Sequence, residues 1–267
     1  MQFTKQQIEF FVNKITPVYP NLKLLNKVEV VQWCLDDVSF LGIEEEVAKI
    51  EGKKTQKKIT NLKKKLEDNW GKKLMKDILP DKDNKWKQWT TTFSERLCDE
   101  IYTIMNQEIR MPKKPKKDLK KPDREISDAI IEVKSGTYFT EGTALDKIFS
   151  VPILFIPDLP VWNKKLIILL VGKAEKFGRE FGILGDIVEP SRSKYYQMFK
   201  DDNCHFVGFT DLLKVEIQKR ESPIQKKMRR QSEKAKKLPT ADEEIEFIET
   251  LYNRHVAIQE FREALNH

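Results

Sequence analysis

Six consecutive apolar residues, Leu166 to Val171, constrain the fold of this 267-residue chain most strongly. The run has the length of a strand, and a strand that is apolar at every position needs cover on both of its faces. Further strand patterns occur at Ala129–Val133 and Cys204–Val207, and amphipathic helix patterns lie between them. The sequence therefore predicts an α/β (α+β) fold, with a mixed β-sheet core flanked by helices.

Helical patterns extend the chain beyond this core at both ends. We predict three regions: a helical N-terminal region over residues 1–88, an α/β core over 89–215 and a helical C-terminal region over 216–267. Apolar residues at helical spacing place the helices, and Thr4 is a suitable N-cap for the first of them. The predicted helices cover Lys5–Lys14, Val28–Val38, much of Lys57–Leu79, Thr92–Glu108, a stretch from Thr143 that Pro152 stops and a stretch from Thr210, with a loop at Asp81–Trp89.

The charge of the chain indicates the kind of partner to expect. Charged residues make up 34% of the sequence and the net charge is +7, which suits a polyanion such as nucleic acid. Cys34, Cys98 and Cys204 lie too far apart to form a metal-ligand motif or a disulfide framework, which favours a reducing compartment. No signal pattern or membrane-length apolar run occurs, so we expect a soluble, cytoplasmic protein.

The candidate site lies between Pro122 and Lys134. A Pro-Asp pair, Pro122 and Asp123, precedes an apolar strand that ends in Glu132, Val133 and Lys134. An acid-x-lysine triplet is common in this chain, so the triplet alone carries little weight. Three similar triplets begin at Glu51, Asp83 and Asp118. The triplet at Glu132 differs because it ends an apolar strand, where a buried charged pair is costly and needs a reason.

Strand geometry predicts that two carboxylates of this stretch meet. Side chains alternate along a strand, so Glu132 and Lys134 share one face. If the chain turns at Ser127 and Asp128, Asp123 lies opposite Glu132, where Cβ atoms of facing residues are about 4.5–5.5 Å apart. Without a turn, nine extended residues would separate the two acids by roughly 30 Å. The pairing is therefore a prediction that coordinates can test.

Two facing carboxylates and a neighbouring lysine are suited to the hydrolysis of a phosphodiester. Asp123 and Glu132 are predicted ligands of Mg²⁺, with the backbone carbonyl of Val133 as a third, because Mg²⁺ prefers a few oxygen ligands and retains waters. Lys134 would orient or deprotonate the attacking water and offset the charge that develops on the phosphate.

These residues resemble the signature of the PD-(D/E)xK nuclease superfamily, in which Pro-Asp is followed by Glu-x-Lys at a strand end. The stretch Ile130–Thr137, the stretch Gly142–Ile148 and the pair Val151 and Pro152 are similar to a subgroup of type II restriction endonucleases. The helix pattern of Thr92–Ile101 resembles the helix upstream of the motif. The chain departs from the subgroup with Ser94 for glycine, Ser135 for threonine, and Leu145 and Asp146 for Gly-Glu, and the resemblance covers residues 90–215.

The resemblance implies a Mg²⁺-dependent enzyme that cuts double-stranded DNA at a specific sequence, often as a homodimer on a short palindrome. Two alternatives stay open at this point. A repair, recombination or structure-specific nuclease could have the same fold. A basic protein that binds DNA or RNA without catalysis could carry Glu132 and Lys134 as a structural ion pair.

Several further residues have two interpretations. Glu95 is either a fourth catalytic residue beside the metal or part of a capping box with Thr92, and Glu100 is its rival on the same helix. Ser135 and Thr137, which follow the catalytic strand, are candidate contacts to DNA phosphate or ordinary polar residues at a strand end.

The basic stretches of the chain have a similar ambiguity. The connector Arg110–Lys121 contains two prolines and six lysines, so we expect no regular structure there and either an arm that tracks DNA or a solubilising loop. The lysines of Lys57–Lys65 are either a solvated helix face or phosphate contacts, and a second basic patch lies at Lys226–Lys237.

Overall fold

A computed structural model describes residues 3–50, 55–80, 88–140, 144–184, 199 and 202–221, and a few positions between 223 and 230, with the backbone alone for 144–147. The chain divides into two compact units, Met1–Arg220 and Glu221–His267. The fold and the candidate site belong to the first unit. Most of the predicted loop at Asp81–Trp89, most of the C-terminal basic patch and the last predicted helix lie outside the described residues.

In the first unit, a helical region comes first along the chain and an α/β core follows it. The helices of the described segments are α1 (Lys5–Ile15), α2 (Val28–Cys34), α3 (Ile43–Ala48), α4 (Gln56–Ile78), α5 (Trp89–Ile104), α6 (Ala144–Phe155), α7 (Leu159–Trp162), α8 (Lys173–Glu180) and α9 (Phe209–Lys219). The strands are β1 (Arg124–Glu125), β2 (Ala129–Gly136), β3 (Lys165–Gly172) and β4 (Cys204–Gly208). Short 3₁₀ turns occupy Ser39–Leu41 and Ile156–Asp158. None of the helices in these segments is long and apolar enough to cross a membrane.

The four strands form one mixed sheet in the order β1-β2-β3-β4. β1 pairs antiparallel with β2, whereas β2 with β3 and β3 with β4 are parallel. From Leu166 to Val171 every residue of β3 is buried, so the predicted central strand and the α/β fold class are confirmed. Two parallel pairs joined through helices are the arrangement expected for a strand that is covered on both faces.

Each face of the sheet has its own hydrophobic core. Ile131 and Val133 of β2 point to the face covered by α5, where they join a core that also contains Trp33, Phe93 and Leu97. Residues one position away in the strands point to the opposite face, which packs against α6 and α8. That second core contains Ile130, Ile148, Phe155, Ile168 and Leu170. Glu132 and Lys134 share the face of Ile130 because side chains alternate along the strand.

Several helix boundaries agree with the sequence patterns. Thr4 accepts a hydrogen bond from the backbone N–H of Gln7 at 3.3 Å, and Gln7 accepts one from the N–H of Thr4 at 2.9 Å, so α1 begins with a capping box. The long helix predicted within Lys57–Leu79 is α4, and the connector Arg110–Lys121 has no regular element apart from an isolated bridge between Arg110 and Glu125.

The boundaries of three helices were predicted wrongly. α2 ends at Cys34 rather than Val38, because the chain turns at Asp36, whose φ is 62°. α5 runs from Trp89 to Ile104 rather than from Thr92 to Glu108, and Asn106, with φ 57°, follows its end. Pro152 does not stop α6, which continues to Phe155. Burial of Val151 and Phe155 in the core favours the helix here despite the hydrogen bond that proline removes.

Candidate active site

The hairpin of β1 and β2 has the register that the sequence predicted. The backbone N–H of Ile126 donates to the carbonyl of Ala129 at 2.9 Å, which closes the two-residue turn at Ser127 and Asp128. Arg124 then pairs with Ile131, and Glu125 with Ile130. Continued by one residue on each strand, this register places Asp123 opposite Glu132. The two form a non-hydrogen-bonded pair, the type in which facing side chains are closest.

Asp123 lies just before β1 and acts on the backbone of β2. Its Oδ2 accepts a hydrogen bond from the N–H of Val133 at 2.8 Å. The Asp123 side chain thus accepts the hydrogen bond of the Val133 N–H, which has no partner in β1 because β1 pairs with β2 only at Arg124 and Glu125. Since both polar backbone groups of a strand residue point to the same neighbour, the carbonyl of Val133 also points to the side of Asp123. Two of the three predicted metal ligands, Asp123 and the carbonyl of Val133, are therefore on one side of β2.

Glu132 and Lys134 form a close ion pair on the adjacent face. The Nζ of Lys134 lies 2.5 Å from Oε1 of Glu132 and 3.4 Å from the carbonyl oxygen of Val133. The two side chains are 21% and 14% exposed, for Lys134 and Glu132 respectively. The other oxygen of Glu132, Oε2, is buried and has no hydrogen-bond partner among the described residues. Such an oxygen is unusual, because buried polar atoms are nearly always paired.

The environment of Glu132 opposes its negative charge. Burial raises the pKa of this carboxyl, and the charge of Asp123 raises it further, while Lys134 lowers it in part. A buried carboxyl whose pKa is raised by a neighbouring acid is typical of sites that bind a cation or hold a proton. The physical cause, two facing carboxylates in a half-buried place, is the arrangement predicted from the strand pattern.

Glu95 of α5 lies on the other side of Asp123. Burial raises the pKa of its carboxyl, and the charge of Asp123 adds to this shift. The predicted capping role of Glu95 is wrong, because α5 begins at Trp89, one turn before the supposed cap at Thr92. Glu95 instead lies 3.4 Å from Nη1 of Arg124, so it belongs to the charged group around Asp123.

Glu100, the rival of Glu95, has a structural role. Its buried carboxylate accepts hydrogen bonds from the backbone N–H groups of Lys23, Leu24 and Leu25, at 2.7 to 3.1 Å. Glu100 therefore links the turn that precedes α2 with helix α5. Burial raises the pKa of Glu100, and these three N–H groups lower it in part.

Ser135 and Thr137 are not brought to the carboxylates. Ser135 is on the α5 face of β2, and its hydroxyl makes hydrogen bonds with Oγ of Ser94, at 3.0 Å, and with the carbonyl of Thr90, at 3.3 Å. Thr137 is half-buried one residue beyond the end of β2. The predicted contacts of Ser135 and Thr137 with DNA stay predictions.

Sequence reasoning missed Arg124 and Asp99. The guanidinium of Arg124 is bidentate on Asp99, with distances of 2.5 and 2.9 Å, and donates to the backbone carbonyl of Asp123 at 2.7 Å. A signal was present: Glu95 and Asp99 are four residues apart, so they share one side of α5 and need a cation, and Arg124 follows Asp123 directly.

The donor set at this site fits Mg²⁺. Asp123, Glu132 and the carbonyl of Val133 supply oxygen atoms, which Mg²⁺ prefers, and the unpartnered Oε2 of Glu132 is a ready ligand. No group of three His, Cys, Asp or Glu side chains in the described segments is arranged to hold a metal by itself. A site with two carboxylates leaves positions for water and phosphate, as Mg²⁺ sites commonly do.

Comparison of the chain with protein-family models, curated proteins and solved structures finds no match. The resemblance to PD-(D/E)xK nucleases therefore depends on the residues of the hairpin and the stretch that follows it.

Proposed function

We propose that the chain is a Mg²⁺-dependent endonuclease of the PD-(D/E)xK type, and specifically a type II restriction enzyme that hydrolyses phosphodiester bonds of double-stranded DNA. One observation carries the proposal. The hairpin register sets Asp123 opposite Glu132, and Glu132 keeps one buried oxygen without a partner and one beside Lys134. The basic composition of the chain agrees with a polyanionic substrate.

Each residue of the site has a definite task in this reaction. Asp123 and Glu132, with the carbonyl of Val133, would hold Mg²⁺, which when bound supplies positive charge to the phosphoryl oxygens. Lys134 is positioned to bind the attacking water and to offset negative charge on the phosphate. Glu132 holds Nζ of Lys134 in place through the 2.5 Å contact. Glu95 is a second carboxylate close to Asp123, able to accept a hydrogen bond from water.

A second candidate function follows from the same contact. The close pairing of Lys134 with Glu132 is also what a structural ion pair requires, in a basic protein that binds nucleic acid without cutting it. The two functions differ in what the loss of Lys134 does. In a nuclease the substitution abolishes cutting and leaves binding, whereas in a binding protein there is no cutting to abolish.

The test is a cleavage assay on long duplex DNA of mixed sequence, which contains every short palindrome. The full chain is incubated with Mg²⁺, and Lys134→Ala is compared with Lys165→Ala as a matched control. Lys165 also forms an ion pair, with Asp128 at 2.6 Å, but it starts β3 at the opposite end of the sheet from Lys134. We expect discrete fragments from the wild type and from Lys165→Ala, and a loss of at least about 100-fold in rate from Lys134→Ala.

The other outcomes separate the alternatives. Cutting that depends on nicks, flaps or junctions rather than on sequence would indicate a repair or structure-specific nuclease of the same fold. Binding of DNA by all variants, with no Mg²⁺-dependent cutting by the wild type, would favour the non-catalytic function. Equal cutting by wild type and Lys134→Ala would exclude the site described above.

A further inference from the structure

The connector Arg110–Lys121 is a strongly basic stretch directly before the candidate site. We call it the basic arm. It contains Arg110 and six lysines against one acid, Asp118. All six lysines are exposed and have no carboxylate within ion-pair distance among the described residues, and five of them also make no side-chain hydrogen bond there. These are Lys113, Lys116, Lys117, Lys120 and Lys121.

The basic arm has a fixed path over the protein although it lacks regular secondary structure. Pro112 and Leu119 are buried and anchor it at two points. Lys114, the sixth lysine, donates from Nζ to the carbonyls of Lys117 and Leu119, the second at 2.9 Å. Anchors of this kind fix the path of the backbone and so keep the remaining lysines at defined points on the surface.

Hydrogen bonds at both ends join the basic arm to the core. The N–H of Lys120 donates to Oδ2 of Asp158 at 3.0 Å. At the other end, Arg110 and Glu125 exchange two backbone hydrogen bonds of 2.9 Å, so the arm begins beside β1. The side chain of Arg110 pairs with Glu125 as well, at 3.3 Å, and is therefore already engaged.

Chain length places every exposed lysine of the basic arm near the site. An extended chain spans at most about 3.6 Å per residue. The Cα atom of Lys121 is therefore at most about 7 Å from that of Asp123, and the Cα atom of Lys113 at most about 36 Å. One turn of duplex DNA has a length of about 34–36 Å. The Cα atoms of these five lysines thus lie within about 36 Å of that of Asp123, a distance comparable to one helical turn of DNA.

We propose that the basic arm binds the phosphate backbone of duplex DNA beside the bond that is cut. The inference rests on the proposed function for the identity of its partner. Fixed, unpaired cations close to a phosphodiesterase site supply binding energy without sequence specificity, through the release of counterions from DNA. Backbone contacts of this kind set the position of the protein on the duplex, while base contacts made elsewhere would set specificity.

The test measures DNA binding without cutting. A labelled duplex of about three helical turns is titrated with the full chain in EDTA, and log K is plotted against log salt between about 50 and 200 mM. The variant carries Lys116→Gln, Lys117→Gln and Lys120→Gln. We expect the slope to become shallower by about 2.7, since each phosphate contact contributes about 0.9. Wild type should then lose about 40-fold more affinity than the variant over this salt range.

A matched variant tests whether the position of the lysines matters. Lys23→Gln, Lys73→Gln and Lys76→Gln remove the same charge from exposed positions of the same compact unit, away from the lysine run of Lys57–Lys65. We expect this variant to keep the wild-type slope, apart from a small uniform effect of net charge. An equal loss of slope in both variants would overturn the proposal, because net charge alone would then explain it. Unchanged thermal unfolding of both variants shows that all substituted lysines are dispensable for the fold.

The results also distinguish failure of the arm proposal from failure of the proposed nuclease function. If the arm variant loses slope but the wild type never cuts with Mg²⁺, the arm proposal stands and the proposed function fails. If the wild type cuts and the arm variant keeps its slope, the proposed function stands and the arm proposal fails. If the arm variant loses affinity for single-stranded RNA but not for duplex DNA, the partner proposed for the arm is wrong.

Discussion

Arg124 balances the negative charge of α5 beside the candidate site. It neutralises Asp99, approaches Glu95 and holds the backbone carbonyl of Asp123. Two acids, Asp99 and Glu95, converge on this guanidinium, and the charge of Asp123 raises the pKa of both Glu95 and Glu132. Because Arg124 donates to the backbone carbonyl of Asp123, we expect it to act by positioning Asp123.

The substitution Arg124→Lys keeps the positive charge but removes the planar fork that binds Asp99 at two points. We expect the free energy of unfolding to fall by about 1–3 kcal/mol, the usual worth of a hydrogen bond to a charged group. We also expect the Mg²⁺ concentration for half-maximal cutting to rise several-fold, with DNA affinity in EDTA unchanged. Urea unfolding and a Mg²⁺ titration of the cleavage rate measure the two effects.

Arg110→Lys is the matched control for this variant. Arg110 also pairs with a hairpin glutamate, Glu125, but its side chain is 60% exposed and its contact is 3.3 Å long. We expect it to change stability by less than about 1 kcal/mol. If both variants shift the Mg²⁺ requirement equally, Arg124 has no special role in positioning Asp123.

At the scale of elements, one buried acid joins α4 to the segment that follows β2. Glu67 accepts hydrogen bonds from the N–H groups of Tyr138 and Phe139, at 2.9 and 3.2 Å, and from Nε1 of Trp33, at 2.8 Å. Burial raises the pKa of Glu67 above its ordinary value of 4.5, and these donors lower it in part. The junction of α2, α4 and the segment after β2 therefore depends on pH.

The sign of that dependence follows from linkage. Between pH 4.5 and the higher pKa of the folded state, the folded chain binds more protons at Glu67 than the unfolded chain does. Stability from this group is therefore present at low pH and is lost as pH rises through the window. In Glu67→Gln this titration is absent. We expect the stability of wild type relative to Glu67→Gln to decline as pH rises from about 4.5, measured by urea midpoints. A difference that grows with pH would contradict the account.

The packing of α4 on α5 gives another prediction at this scale. Gly71 is buried under Trp89, and a Cβ atom at Gly71 would overlap atoms of the indole ring. Alanine normally favours a helix over glycine by up to about 1 kcal/mol. Here we expect Gly71→Ala to destabilise the chain by about 1–3 kcal/mol, because the clash outweighs the gain in propensity. Asn69→Ala, on the exposed side of α4, should change stability by no more than about 0.5 kcal/mol in the same thermal unfolding experiment.

Features that depend on local pattern were predictable from the sequence. The apolar run at Leu166 predicted a central strand, and a two-residue turn at Ser127 and Asp128, if present, predicted the hairpin register that the structure has. Both follow from the alternation of side chains along a strand, which needs no knowledge of the rest of the fold.

Features that depend on distant residues were not predictable. The proline rule failed at Pro152, because core contacts of Val151 and Phe155 come from tertiary packing. The role of Glu100 depends on backbone groups about 75 residues away, at Leu24 and Leu25. The alternation of side chains along β2 predicts which face of the sheet Ser135 occupies. That α5 covers this face is known only from the fold.

At the scale of the whole molecule, the charge distribution matters more than its total. The net charge of +7 includes the unpaired lysines of the basic arm, while many acids of the described core are engaged in hydrogen bonds or ion pairs. A homodimer on a palindromic duplex stays a prediction, since two-fold symmetry in the target favours two-fold symmetry in the protein.

The central claim is that Asp123 and Glu132 hold one divalent ion, and metal binding tests it without knowledge of any recognised sequence. Mn²⁺, used in place of Mg²⁺ for its paramagnetism, is titrated into the full chain without DNA and the free ion is followed by electron paramagnetic resonance. We expect Asp123→Asn and Glu132→Gln each to weaken Mn²⁺ binding by at least about tenfold, because each variant loses one charged ligand. Asp128→Asn, an exposed acid in the turn of the same hairpin, should bind as the wild type does. Wild-type affinity in both Asp123→Asn and Glu132→Gln would contradict the account.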